Sequence, residues 1–320
     1  MRSGILRQRS TLDLFNEYLY EYLSADVPNY QEVIDLLDAH RGKQLRARLS
    51  LLCAELGGPL SMKSYRAALF VEMLHTGTLV HDDIVDESAE RRGAPSVNAK
   101  WGKRVALYSG NMIGIKALIL ATENEDNDLI KIYGTAIDQI VKSELLQLKK
   151  SFRFRTSEKT YFEIINGKTA ALFKAACKAG ATTTMKNLQQ AERIGQLGEY
   201  VGLAFQIKDD LFGYQTLDVG KPLDNDFKER KMTLPLIHAL RNTNWKQRFT
   251  IKRVLKKRDF TKEDHKWIVK QVISLGGVAY AEKTMCDYCD KAIEILNQFG
   301  PSDAKAELLS IINYVTERKY

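Results

Sequence analysis

The chain has 320 residues, 44% of them hydrophobic and 28% charged, with a formal net charge of +8; this is an ordinary water-soluble composition with enough apolar residues for a sizeable core. No uninterrupted run of about 18 apolar residues occurs, since the best stretch, Val105–Thr122, is broken by Ser109, Asn111 and Lys116, and the opening MRSGILRQRS lacks the apolar segment of a signal peptide. Four cysteines in so long a chain do not make a disulfide framework, which leaves a reducing cytoplasm as the expected location.

Helical periodicity runs almost from end to end. Apolar residues three and four apart predict helices over Thr11–Ala25, Asn29–His40, Gln44–Leu56, Ser61–Glu87, Lys103–Thr122, Asp128–Lys150, Ser157–Ala179 and Met185–Tyr214, with shorter ones to Tyr320. Alternating strand patterns are scarce. Pro28, Pro59, Pro95, Pro222, Pro235 and Pro301 fall between these segments or in their first turns, where proline is tolerated. Gly57-Gly58-Pro59 and Gly300-Pro301 are stop signals. The longest connection, Thr216–Lys231, carries its own charged motif, and no repeat, low-complexity tract or linker divides the chain. The expectation is one all-α domain over residues 1–320.

The most informative stretch is Leu74–Gly93, LHTGTLVHDDIVDESAERRG, in which Asp82, Asp83 and Asp86 are spaced DDxxD. On a helix His75, Asp82 and Asp86 share one face, and Asp83 lies about 100° away around the axis. Uncompensated carboxylates one turn apart repel by about a few tenths of a kcal/mol. Stacked at the end of the apolar run VEMLHTGTLV, they point to a bound cation, with a solvated acidic helix end as the other reading of the motif taken alone. Oxygen-only ligands suit Mg²⁺, which fills its remaining positions with water and substrate phosphate.

A second acidic pair, Asp209-Asp210, follows in FQIKDDLFGY, with Gln206 on the face of Asp209; residue 213, which would complete another DDxxD, is Gly213. Acidic clusters on two helices of a bundle can hold metals between them. Basic residues stand at turns and helix ends around both: Lys43 and Arg46, Arg91 and Arg92, Lys168, Lys221 and Lys231. Carboxylates with separate cations fit a site for two phosphorylated substrates. The remaining positive charge, as in Lys252-Arg253 and Lys256-Lys257-Arg258, has little aromatic interleaving and reads as a solvated helix face, so no nucleic-acid partner is expected. Cys286 and Cys289 form a CxxC with no second pair and read as incidental thiols.

In this order GKQLR at Gly42–Arg46, LVHDDIVDESAERRG, GKTAALF at Gly167–Phe173, FQIKDD at Phe205–Asp210 and GKPLDNDFKERKMTLP from Gly220 to Pro235, with the ending YVTERKY, resemble the trans-isoprenyl diphosphate synthases of the polyprenyl synthetase family over nearly the whole chain, and most of all its long-chain, octaprenyl-type members. The resemblance implies an all-α helical bundle of the isoprenoid-synthase type around a deep central cavity, usually a homodimer. It implies that isopentenyl diphosphate condenses head to tail with an allylic diphosphate, using Mg²⁺, three ions in the loaded site. By resemblance Asp82, Asp86 and Asp209 hold the metal, and Asp83 and Asp210 act through coordinated water. Arg91, Lys168, Lys221 and Lys231 contact the allylic diphosphate, and Lys43, Arg46, His75 and Arg92 form the isopentenyl diphosphate site. Thr169 and Gln206 stand beside the reacting carbons, and Glu144 and Gln147 match a cavity-lining segment.

The implied chemistry explains the residue types. An allylic C–O bond breaks to a carbocation and diphosphate, and Mg²⁺ with fixed cations stabilises the charge on the leaving oxygens. The isopentenyl double bond attacks, and the proton leaves to the departing diphosphate, so no serine or cysteine nucleophile is needed. Arg41, Ala47, Arg230 and Gly213 depart from the family pattern, and Gly213 implies weaker metal binding.

In that family the residues just before the first acidic motif form the upper wall of the product cavity. Here they are the small Gly77 and Thr78, about one helical turn below Asp82. Small residues there imply a long product, of about octaprenyl length by resemblance, destined for quinone side chains. The alternatives are a farnesyl or geranylgeranyl diphosphate synthase, a terpene cyclase, and a non-catalytic subunit of a heteromeric synthase. So apolar a product also implies transient contact with a membrane surface at release.

Overall fold

The computed structural model of the chain describes residues 10–151, 156–214, 231–257 and 259–318. Lys221 and Arg230 lie outside the described residues. The chain forms two compact units, one of Met1–Tyr133 with Ala176–Ala191 and the other of Gly134–Ala175 with Glu192–Tyr320, so neither is a continuous segment.

The first unit opens with α1 (Thr11–Leu23), α2 (Tyr30–Ala39), α3 (Leu45–Glu55) and α4 (Met62–Val85). Ser10 and Ser61 start α1 and α4 as capping boxes, each satisfying amides that a helix end leaves without a partner. A hairpin of β1 (Glu90–Arg91) and β2 (Ala94–Pro95) follows, then α5 (Val97–Trp101), α6 (Lys103–Glu123) and the start of α7 (Asn127–Ser151). Strands of two residues carry no alternation that a sequence could show. α4 is buried without interruption from Ala67 to Met73, as a helix packed on all sides must be; its main neighbours are α6 and α3. Phe15, Leu49, Met73, Ile113, Leu129 and Tyr133 fill this core, and the Tyr133 hydroxyl donates to the Ala67 carbonyl at 2.7 Å.

Among the described residues α6 alone is long and apolar enough by composition to cross a membrane, with 39% of its apolar window buried and a mean hydropathy of 1.4. One side of it packs on α4, and the other exposes Leu107, Tyr108, Ile115, Leu118 and Ile119. Lys116, which interrupts the apolar run, donates to the Tyr22 and Ser24 carbonyls at 3.0 and 3.1 Å.

The second unit holds the rest of α7, α8 (Glu158–Ile165), a π-helical turn at Asn166–Ala170, the start of α9 (Ala171–Thr182) and most of α10 (Leu188–Phe212). After them come α11 (Leu234–Arg241), α12 (Trp245–Leu255), α13 (Lys262–Ser274), α14 (Gly277–Leu296) and α15 (Asp303–Glu317). Phe173 of α9 meets Phe205 of α10 with ring centroids 5.3 Å apart. Leu236, Ile251, Ile268 and Val272 form a further cluster joining α11, α12 and α13. The predicted helix Ser157–Ala179 is therefore interrupted by the π turn, and α10 stops at Phe212, one residue before Gly213. Buried His265 donates from Nε2 to the Gly213 carbonyl at 3.1 Å, which satisfies one of the orphan acceptors of that helix end.

Candidate active site

In the first unit the DDxxD motif closes α4. Asp82 and Asp83 stand in its last turn and Asp86 is the C-cap, its amide donating to the Asp82 carbonyl at 2.8 Å. A helix C-terminus carries partial negative charge and disfavours anions, yet α4 has no basic residue in its last turn. Half-buried Asp82 and exposed Asp86 thus offer hard oxygen donors where a cation is electrostatically wanted. Among the described residues no three His, Cys, Asp or Glu side chains converge into a closed cage. A pair of carboxylates is the donor set that Mg²⁺ takes when water and substrate phosphate complete its shell, so the residues fit that ion.

Asp83 has a different place. It is buried, and Arg91 donates to its Oδ1 from Nε at 3.0 Å. The expectation that Asp83 acts through coordinated water therefore meets a side chain already holding Arg91. Arg91 ends β1, and the two-residue loop Arg92-Gly93 returns the chain to Ala94, which pairs with Arg91. Both loop residues have positive φ, 53° and 76°, the I′ arrangement that suits the twist of a tight hairpin.

Arg92 then lies across the GK turn. A Cβ on Gly42 would stand 2.5 Å from the Arg92 guanidinium carbon, so the glycine is the space through which that side chain passes. Gln44 takes left-handed φ and ψ of 48° and 40° to start α3, and its amide donates to Asn16 at 2.9 Å. α2, the GK turn, α4 and the hairpin enclose an open pocket of about 780 Å³ lined by Gly42, Gln44, Glu72, Asp83, Arg91 and Arg92. Lys43 is exposed beside it.

Arg46 of α3 and His75 of α4 meet at 3.1 Å, Nη1 to Nε2. Burial first, and then Arg46, Arg92 and Arg91, hold the His75 imidazole well below its ordinary pKa. A neutral ring accepts at Nε2, so His75 orients Arg46 without adding charge. Glu72, one turn earlier, is 4% exposed and its Oε2 has no hydrogen-bond partner. Burial raises its pKa, and Arg46 and Arg92 pull it back. Sequence reasoning passed over Glu72; its signal was a lone carboxylate in the apolar run VEML, one turn before His75.

Gly77 does not stand free to admit a product tail. A Cβ there would sit 3.1 Å from the Gly110 carbonyl oxygen of α6 and 3.7 Å from Ile113 Cγ2. The residue is buried and sets the α4–α6 crossing, so a phenylalanine would overpack that contact instead of filling a cavity. Thr78 is half-buried and donates to the His75 carbonyl at 2.8 Å.

In the second unit the GKT motif forms the π turn. Such turns interrupt a helix frequently at functional sites. Lys168 of the turn meets Glu144 of α7 at 2.6 Å. Thr169 donates to Gln206 Oε1 at 2.6 Å, Gln206 Nε2 donates to Asp210 Oδ1 at 3.0 Å, and the Tyr161 hydroxyl donates to Asp210 Oδ2 at 2.7 Å. This relay fixes the orientation of the Gln206 amide. A pocket of about 590 Å³ is lined by Gln147, Tyr161, Lys168, Gln206, Asp210 and Lys231, so four predicted site residues converge there with the predicted lining residue Gln147. Asp209 faces another partner: the Arg318 guanidinium lies 2.6 Å from its Oδ1. Arg318 also donates to the Phe205 carbonyl at 2.7 Å and sits 3.7 Å above the Phe205 ring. The ending YVTERKY suggested a resemblance but not this contact.

The CxxC thiols have no place in either site. Cys286 is exposed and Cys289 buried on α14. Burial raises the pKa of both, that of Cys289 to about 12, which leaves them poor nucleophiles and poor metal ligands.

Comparison with known proteins gives these two sites a common context. The polyprenyl synthetase family model matches residues 27–272. The all-trans-nonaprenyl-diphosphate synthase (geranyl-diphosphate specific) of Rhodobacter capsulatus is 32% identical over 95% of the chain and 93% of its own length. The octaprenyl diphosphate synthase of Haemophilus influenzae is 30% identical over the same shares, 95% and 93%. A crystal structure of a polyprenyl synthase from Caulobacter crescentus, complexed with calcium and isoprenyl diphosphate, superimposes with a TM-score of 0.88 at 30% identity, covering 97% of this chain and 95% of that one.

Proposed function

Because the chain belongs to the polyprenyl synthetase family, and is thereby a prenyltransferase that makes trans-prenyl diphosphates, we propose that it is a Mg²⁺-dependent synthase of long, octaprenyl-like products. The family model spans residues of both units, which supports reading 1–320 as one domain. The observation that carries the proposal is the set of cations in the first unit: Arg91 and Arg92 line its pocket, Arg46 meets neutral His75, and His75 stands on the helix whose end carries Asp82 and Asp86.

Asp82, Asp86 and Asp209 would hold Mg²⁺, which when bound supplies positive charge to the leaving diphosphate oxygens. The Caulobacter relative, complexed with calcium and isoprenyl diphosphate, supports a divalent ion. Arg46 and Arg92, with Lys43, bind the diphosphate of isopentenyl diphosphate, and their fork geometry suits its oxygens. Arg91 and Lys168 bind the allylic diphosphate and exchange Asp83 and Glu144 for it; Lys221 and Lys231 are assigned the same ligand. The Tyr161–Asp210–Gln206–Thr169 relay presents polar oxygens of fixed orientation to the electron-poor allylic carbons. A neutral His75 keeps the isopentenyl site free of a side chain that changes charge near pH 7.

Chain length rests on Thr78 and on relatives whose names specify eight or nine units. Quinone side chains are the proposed destination and the cytoplasm the proposed location. The exposed apolar stripe of α6, Leu107, Ile115, Leu118 and Ile119, supports a homodimer in which a second copy covers it. The test is a product assay with Mg²⁺, farnesyl diphosphate and labelled isopentenyl diphosphate, with and without chelator. A chelator-sensitive product of about eight units, the length named for the Haemophilus relative, is expected; Thr78→Phe should shorten it and Gly77→Phe should cost about 1–3 kcal/mol of stability. A product stopping at four units in the wild type overturns the long-chain reading.

A further inference from the structure

Helix α12 belongs to neither pocket, and its composition is unusual. Ile251 and Leu255 are buried in the cluster shared with α13. On the opposite face, one turn apart, Trp245 and Phe249 are 75% and 65% exposed. Lys246, Arg248, Arg253 and Lys256 surround them, all exposed. From Trp245 to Lys257 the sequence holds no carboxylate. The Lys246 ammonium lies 5.7 Å from the Trp245 ring centroid, and Arg248 donates to the Arg241 carbonyl at 3.3 Å. The carboxylates nearest in sequence are Asp259, Glu263 and Asp264. Asp264 is already engaged, since it caps α13 with Thr261 and receives Lys257 at 2.6 Å.

Two bulky aromatics left in water within a ring of cations are costly as a mere surface. They are what a helix needs to rest on an anionic bilayer: Trp and Phe enter the headgroup boundary while Lys and Arg meet lipid phosphates. Tryptophan in particular favours that boundary. A single-stranded nucleic acid also uses cations and aromatics, but in a groove that tracks the strand, whereas these side chains stand on the convex outer face of one helix. The acidless run also gives the charge complementarity that an anionic leaflet requires.

We infer that the exposed face of α12, centred on Trp245, Phe249, Arg253 and Lys256, docks the protein on anionic membrane surfaces. Its use, delivery of an apolar polyprenyl product to lipid, rests on the proposed long-chain activity; the docking itself does not. The test is co-sedimentation of the full chain with phosphatidylcholine vesicles containing about one third phosphatidylglycerol, against pure phosphatidylcholine, without substrate or Mg²⁺. Binding to the anionic vesicles should be at least roughly tenfold tighter and should weaken with salt. Trp245→Ala/Phe249→Ala and Lys246→Gln/Arg253→Gln/Lys256→Gln should each lose most of it, with turnover on soluble substrates unchanged because all five side chains are solvent-facing. No binding by the wild type overturns the inference. So does unchanged binding of the aromatic double variant, or tighter binding to single-stranded nucleic acid that the same variant abolishes. A protein that binds vesicles but makes no long product leaves the docking standing and removes the long-chain reading.

Discussion

The two pockets solve the problem of holding cations in opposite ways. In the first unit Arg46 rests on a neutral imidazole and Arg92 on the space above a glycine. The buried carboxylates Glu72 and Asp83 line the same pocket as Arg91 and Arg92. In the second unit Lys168 is matched by Glu144, Asp209 by Arg318, and Asp210 by two hydrogen-bond donors. An anion at Lys168 must displace Glu144 and one at Arg91 must displace Asp83, whereas Arg46 meets a neutral ring. The lesson is that similar residue types give different readiness, because a partner within hydrogen-bond reach changes what a charged group is free to do.

The sharpest break of this contrast is Asp82→Ala. It removes an oxygen donor at a helix end whose last turn contains no basic residue, and turnover should fall by about 10²–10³-fold, the scale of losing one preorganised electrostatic group. Thermal stability should hold or rise slightly, since carboxylate repulsion at the C-terminus is relieved. Turnover near the wild-type rate would show that the first unit does not depend on this metal ligand.

Arg318→Met tests the balanced side. Breaking a fully buried pair costs about 3–5 kcal/mol, but Asp209 is 38% exposed, and solvent screening reduces this to about 1–2 kcal/mol. Unfolding in denaturant should show that loss, and added Mg²⁺ should restore part of it in the variant more than in the wild type, because the ion replaces the missing counter-charge. Equal responses to Mg²⁺ would mean that Arg318 only anchors α15 to Phe205 and does not serve Asp209.

Helices were legible because burial imposes a period of about 3.6 residues on them, and each predicted helix up to Tyr214 appears within a few residues of its expected ends. Asp86 is a cap and not a helical residue, which periodicity cannot resolve. The hairpin at Glu90–Pro95 and the π turn at Asn166–Ala170 were not legible, since each is shorter than any repeat that could reveal it. Of the site, the residues carrying resemblance were found by motif, and Arg46 with His75, and Thr169 with Gln206 and Asp210, are indeed brought together. Asp83 with Arg91, Tyr161 with Asp210 and Arg318 with Asp209 were not foreseen, because a partner 8, 49 or 109 residues away leaves no local pattern. Gly77 shows the converse: a small residue at a motif-adjacent position suggested open space, and the Gly110 carbonyl occupies it.

Gly42→Ala sharpens the comparison at the open pocket. The added methyl would meet Arg92 at 2.5 Å, a flexible side chain that can swing away without unfolding α3. Displacing one guanidinium from a diphosphate should raise KM for isopentenyl diphosphate by about tenfold with kcat nearly unchanged, the pattern of lost uniform binding. KM for the allylic substrate should not move. A fall in kcat alone would place Arg92 at the reacting atoms instead.

The smallest effect concerns Glu72 and carries a pH sign. Its folded pKa is raised, by burial before all else, against the opposing pull of Arg46 and Arg92. A carboxyl raised in the folded state contributes stability that is present below its unfolded pKa and is lost as pH rises through the folded value. Glu72→Gln keeps the shape and removes that loss, so the variant should gain on the wild type as pH rises from about 4 to about 8, starting from the unfolded glutamate value of about 4.3. The gain should be about 1 kcal/mol or less, since the two arginines offset part of the desolvation cost. Melting curves of both proteins across that range decide it. If the variant instead loses ground at high pH, the attraction of Arg46 and Arg92 outweighs burial, and Glu72 is the ionised counter-charge of the first pocket. In that case the first unit is balanced like the second, and the contrast between them disappears.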